Sequence, residues 1–153
     1  MTSRPFICVV VLAGLALGLA ACGTYELQGR VIQGESPGVE VVSRDDPRLT
    51  AEGVGVANAS VRLTIDPESL GRTIVQPRNT QPDGTFRVPV DEFGAGTLEY
   101  DASLLVRKDG HEAAYGDFPL PRSSRRVLVV LPRGVDRFSE PTDPAEDLER
   151  FGP

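Results

Sequence analysis

The feature that most constrains this chain is a period of two in its apolar residues. In Ser60-Val61-Arg62-Leu63-Thr64-Ile65 apolar and polar side chains alternate strictly, and Pro67 closes the run. Successive side chains of a strand point to opposite faces, so this alternation marks a strand with one face in a core and one toward solvent. The same parity holds for Tyr25, Leu27 and Val31 in Tyr25 to Ile32, and for Phe86, Val88 and Val90 in Thr85 to Val90. Val39 to Val42 and Thr73 to Val75 are shorter runs of this kind. Glu112 to Phe118 is a weaker one, broken by Pro119-Leu120-Pro121. Leu98 to Lys108 alternates imperfectly and is expected to be a longer strand with a bulge. Arg126 to Pro132 is apolar on both faces, as a central strand is. Gln81-Pro82-Asp83-Gly84 and Asp109-Gly110 read as tight turns. No helical stripe of three turns follows residue 22, so about seven short strands predict an all-β, antiparallel β-sandwich.

The start of the chain obeys different rules. Met1 to Pro5 carries one side-chain charge, Arg4, and an apolar run follows from Phe6 to Leu17. A positive start, an apolar core of about 7–15 residues and small residues before a cut make a secretory signal. The run falls short of the roughly 20 residues a membrane span needs. Leu19-Ala20-Ala21-Cys22 then resembles the lipobox of bacterial lipoproteins. That resemblance implies a diacylglycerol on the Cys22 thiol, cleavage between Ala21 and Cys22, and often acylation of the new amine. The chemistry agrees, because a thiolate is the good nucleophile among side chains. Two or more acyl chains give the stable anchoring that one does not. The alternative is an ordinary secretory signal followed by a chance cysteine. No basic cluster follows Cys22 to hold a retained span in place.

Residues 1–21 are therefore expected to be a lipoprotein signal peptide, 22–25 a lipidated tether, 26–133 the sandwich and 134–153 an acidic, proline-rich, disordered tail. A short helix over Pro144 to Phe151, capped by Asp143, is the alternative for part of that tail. Cys8 leaves with the signal and Cys22 carries lipid, so the mature chain has no cysteine left for a disulfide or a metal. The domain must stand on its apolar core. Lys and Arg number 16 against 22 Asp and Glu, and losing Arg4 makes the mature chain more acidic still. Such a balance argues against nucleic acid as a partner, since phosphate binding needs clustered cations. It also disfavours adhesion to anionic headgroups.

Three segments, in order, resemble the carboxypeptidase regulatory-like domains, whose sandwich is transthyretin-like (prealbumin-like). Leu27-Gln28-Gly29-Arg30-Val31 is similar to their opening strand. Gly53 to Leu63 is similar to their "G-x-P-hydrophobic-x-x-A-x-V-x-L" signature, and Thr80 to Val88 to "T-D-x-x-G-x-F-x-(I/V)". Leu104 to His111 looks like their later "L-x-(V/F)-x-K-x-G-(Y/H)". Gly55 stands where the pattern has Pro, Gln81 where it has Asp, and the loop from Gln33 to Glu52 is longer than usual. The resemblance implies a transthyretin-like/Ig-like fold and a non-catalytic accessory role, with no catalytic residues to carry over.

The residues themselves agree on chemistry. No Gly-x-Ser-x-Gly elbow, His-Glu-x-x-His pair or phosphate loop is present. His111, the single histidine, follows an Asp-Gly turn and is expected to be solvated. Asp45-Asp46, Asp91-Glu92 and the acids from Asp143 to Glu149 lack calcium-loop spacing and read as solvated loops. Asp83-Gly84 reads as turn chemistry, and Asn58-Ala59-Ser60 as a chance sequon. Arg122, Arg125 and Arg126 read as charges guarding an edge strand.

The expected protein is thus a membrane-anchored, non-enzymatic lipoprotein of the bacterial cell envelope, a structural, adhesion or binding module without metal or cofactor. Its partners are the membrane, through Cys22, and an unspecified envelope protein or polysaccharide. The alternatives are a glycan- or solute-binding accessory domain, or a non-catalytic subunit of an envelope enzyme. An exposed pair among Tyr100, Tyr115 and Phe118 would favour glycan binding. Gly23 after the cysteine favours the outer membrane, if the cell has one.

Overall fold

A computed structural model describes residues 24–139. They form a β-sandwich with two sheets and no α-helix. Strand β1 spans Tyr25–Gln33, β2 Gly38–Ser43, β3 Ser60–Ile65, β4 Thr73–Ile74 and β5 Arg78–Asn79. Strand β6 spans Thr85–Val90, β7 Asp101–Arg107, β8 Ala114–Pro119 and β9 Arg125–Leu131. Seven of these have six to nine residues, and β4 and β5 are dipeptide ladders on β3. One sheet has the order β2-β9-β1-β6 and the other β4-β3-β7-β8.

The alternating residues meet between the sheets. Val61, Leu63 and Ile65 of β3 and Ala102, Leu104 and Val106 of β7 face Leu27 and Val31 of β1, Phe86, Val88 and Val90 of β6, and Val127, Val129 and Leu131 of β9. Each valine, leucine, isoleucine or phenylalanine among them contributes about 1.5–3 kcal/mol when fully buried. The described residues include no cysteine, so this part of the chain stands on that core and not on disulfides.

Most pairings are antiparallel, as expected, but β1 and β9 run parallel, with Gly29 opposite Val127 and Gln33 opposite Leu131. The expected central strand is indeed β9, flanked by β2 and β1. Strand β1 outlasts β6, and residues 54–56 take over its free edge: Gln33 N–H donates to the Val54 carbonyl at 2.8 Å and Val56 N–H to that of Val31 at 2.9 Å. At the side of the sandwich, Gly116 of β8 meets Val39 of β2, where a Cβ at 116 would lie 2.7 Å from the valine. The two sheets touch there without a gap.

Both outer faces are partly covered, which sequence alternation alone does not reveal. On the first sheet Glu40, Leu128 and Arg30 lie in one row across β2, β9 and β1. Arg48, in the one-turn 3-10 segment Pro47–Leu49, pairs with Glu40 at 3.0 Å, and its carbonyl accepts from Arg30 Nη1 at 3.2 Å. The long loop is thereby held across the row, and Leu128, outward-facing, is buried. On the second sheet Leu105 is outward and buried beside Tyr115. This is why the alternation fails in β7. The strand has a continuous register with β3 and β8 and starts at Asp101, so the expected bulge and the residues before Asp101 are not part of it.

Glycine is required where backbones touch. A Cβ on Gly29 would stand 2.1 Å from the Val127 carbonyl oxygen and 2.5 Å from the Phe86 ring. Gly29→Ala is expected to lower stability by about 3 kcal/mol, an overpacking cost. Gly38→Ala, with nothing within 4 Å of the added carbon, should change it by less than about 0.5 kcal/mol. Urea midpoints of the two variants check this, and equal midpoints would contradict it.

Candidate functional site

Ala21 and Cys22, the residues on which the sequence places lipidation and cleavage, lie outside the described residues, as do the acids of the C-terminal stretch. The described chain begins two residues after Cys22, at Thr24, and enters β1 at once. Four other connections reach the same end of the sandwich: the one that leaves β2 after Ser43, residues 66–72 after β3, 91–100 between β6 and β7, and 120–124 between β8 and β9.

Tyr25 ties this end together. Its hydroxyl donates to the Pro121 carbonyl, and its ring lies so close to Gly96 that a Cβ there would be 2.5 Å away. Gly96 has φ +78°, so a side chain is excluded on two counts. Burial pushes the Tyr25 phenol up to about 12, against the pull of the nearby Arg126 charge. The Tyr100 carbonyl accepts from Leu120 N–H at 2.7 Å and its hydroxyl donates to the Phe93 carbonyl at 2.7 Å. An open depression of about 370 Å³ lies between Tyr25, Gln28, Ala95, Gly96 and Ser123.

The other nominated residues have specific places. His111 is buried, not solvated: its backbone bridges to Arg133 and its Nδ1 lies 3.1 Å from the Asp109 carbonyl. The segment after β9 returns past the Asp-Gly turn and covers it. Asp46 takes two hydrogen bonds from the Arg48 guanidinium and one from its backbone N–H, which hold its carboxyl below the usual range. Asp83 accepts from Thr85 N–H and Oγ1, which lowers its pKa likewise and makes it the turn residue expected. Asn58 takes φ +53° and accepts from Asn79. Asp91 is exposed and Glu92 half-buried. No group of three metal-ligating side chains occurs among the described residues.

Arg122 precedes β9 and Arg125 and Arg126 open it, and β9 is an interior strand, so the edge-guarding role expected of them is corrected. Arg126 instead donates to the carbonyls of Ser123 and Arg125, both at 2.7 Å, and stiffens its own loop. Tyr100, Tyr115 and Phe118 are all half-buried and do not form an exposed pair. Tyr100 and Phe118 pack on the core. Tyr115 lies under Phe138, ring centroids 5.0 Å apart.

Phe138 belongs to a feature the sequence reading missed. Residues 134–139, the start of the expected tail, run back along the outer face of the second sheet. Arg107 Nε sits 3.1 Å from Asp136, its Nη2 donates to the Phe138 carbonyl at 3.2 Å, and its guanidinium lies 5.9 Å from the Phe138 ring centre. An isolated aromatic in a polar stretch was the available signal.

No family model, curated protein or solved structure matches this chain.

Burial and the Asp117 hydrogen bond push the Tyr115 phenol up to about 12. An unfolded tyrosine titrates near 10, so above that pH the unfolded chain loses these protons first and stability falls toward pH 12; below pH 10 the two tyrosines contribute no pH dependence. Phe138→Ala should bring Tyr115 back toward 10.0 and leave Tyr25 unchanged. An NMR titration of the tyrosine ring carbons reads this, and an unmoved Tyr115 would contradict the cover.

Proposed function

We propose that this chain is a lipid-anchored, non-enzymatic lipoprotein of the bacterial cell envelope, whose sandwich serves as a structural, adhesion or binding module. The observation that carries this is the apolar run from Phe6 to Leu17 ending in Leu19-Ala20-Ala21-Cys22, directly ahead of a domain whose first strand starts at Tyr25. A tether this short makes the anchor and the domain one unit. The mature chain begins at Cys22, and the outer membrane is its favoured place in a cell that has one.

A carboxypeptidase regulatory-like domain is the proposed relationship. In its support, the three resembling segments come together at the end of the sandwich opposite Tyr25. Val31 N–H donates to the Gly84 carbonyl at 2.8 Å, and Thr80 Oγ1 donates to the Val56 carbonyl at 2.7 Å while accepting from Ala59 N–H at 2.8 Å. Gly55 fits its departure from the pattern, because a Cβ there would lie 2.1 Å from the Asp83 carbonyl oxygen. A non-enzymatic role is supported by what the displaced pKa values do. Tyr25, Asp46, Asp83 and Tyr115 are each engaged in holding a loop, turn or strap.

Cys22→Ser is expected to abolish incorporation of a fatty-acid analogue, and to release the protein or stall its precursor. Metabolic labelling with membrane fractionation measures both. Unchanged labelling and fractionation in the variant would sink the proposal.

A further inference from the structure

Among the described residues, five large apolar side chains are exposed: Leu70 at 72%, Ile74 at 58%, Phe93 at 87%, Leu98 at 49% and Val135 at 69%. Single exposed apolar residues are ordinary, whereas their grouping is informative. Four of the five collect toward one end. Leu70 lies in the connection after β3, Ile74 pairs with Thr64 one step inside that strand's end, and Phe93 and Leu98 lie between β6 and β7. This is the end where β1 begins.

Phe93 is held outward by its turn. Its carbonyl accepts the Tyr100 hydroxyl, Gly94 and Gly96 both take positive φ, and Leu98 N–H donates to the Gly94 carbonyl at 2.8 Å. A Cβ on Gly94 would press to 2.7 Å of the Leu98 side chain, so the turn and Leu98 pack as one piece, and the adjoining Gly96 seats it on Tyr25. An apolar side chain presented this way has lost its freedom to fold back.

We infer that this end of the sandwich lies against the membrane, with Phe93 and Leu98 inserted among the lipids as a second contact beside the anchor. The inference rests on the proposed lipidation of Cys22, two residues before Thr24. Those two residues reach at most about 7 Å, so acyl chains on Cys22 hold the end bearing Phe93 at the bilayer surface. Buried apolar area then adds to the acyl chains. Asp91, Glu92 and Glu99 flank the two apolar residues. The contact is therefore with zwitterionic lipid and gains nothing from anionic headgroups.

The chain has no tryptophan, so a substituted one is a sole reporter. Phe93→Trp and Val135→Trp are each made in the full-length chain, expressed with a fatty-acid analogue, and the membrane-extracted proteins are reconstituted into phosphatidylcholine–phosphatidylethanolamine vesicles containing brominated acyl chains. The Phe93→Trp protein should emit at shorter wavelength and be quenched several times more strongly than the Val135→Trp protein, and added phosphatidylglycerol should not increase the quenching. Equal, weak quenching in proteins that carry the label and float with the vesicles would overturn the inference and leave the anchor intact. A shift to shorter wavelength without quenching would mean that protein, a second copy or a partner, covers the residue, which also overturns it. Absence of the label on either protein would overturn the anchor and the inference together.

Discussion

The close approach of β1 to β9 at Gly29 sets the geometry of the whole sandwich. Gly29 stands between the Val127 carbonyl and the Phe86 ring, with no room for a side chain. From that contact β1 runs antiparallel to β6 through its first six residues and parallel to β9 through its last five. The aligned strand then carries two further contacts at its far end. The Val31 carbonyl accepts from Val56 N–H, and its amide donates to the Gly84 carbonyl. Glycine at 55 and 84 lets these backbones meet, so three distant stretches of sequence close on one strand.

Each sheet also has a small second layer on its outside, and an arginine secures each one. Arg48 crosses Leu128 from Glu40 to the carbonyl contact with Arg30, and its two-pronged grip on Asp46 fixes its own plane. Arg107 binds Asp136 and the Phe138 carbonyl under the strap over Tyr115. Exposed ion pairs alone are worth about 0–1 kcal/mol. Their weight here comes from planar, charge-assisted hydrogen bonding that holds the loop across Leu128 and the Phe138 ring over Tyr115. Guanidinium groups suit the task, since each presents several donors in a fixed fork.

The sandwich was legible in the sequence because its inner faces alternate strictly, as in β3 and β6, and because Pro67 and the Asp83-Gly84 turn mark real ends. What the alternation could not carry was cover on the outside. Leu105 and Leu128 interrupt the pattern for that reason, and His111 was placed in solvent because the returning segment past Arg133 is distant in sequence. The dipeptide ladder at Arg78–Asn79 has no apolar signal at all. Parallel pairing of β1 and β9 is equally silent, since parity is the same in either direction. Of the candidate site, the sequence offered Cys22 but not the grouping of Leu70, Phe93 and Leu98, which depends on topology bringing together two connections distant in sequence.

The seam between Gly116 and Val39, together with Pro89 in β6, bears on how such molecules tolerate one another. Open strand edges recruit other chains through unpaired amides and carbonyls. A population confined to a surface has lost one dimension to disperse in, and its members collide side to side in a shared orientation. Here one flank of the sandwich is sealed by its own sheets. On the other, proline withdraws an amide from β6, and Pro77 divides β4 from β5 into pieces too short to template a partner. Under the proposed lipid anchor, crowding would then pack these domains as neighbours with separate sheets, each free to turn about its own tether.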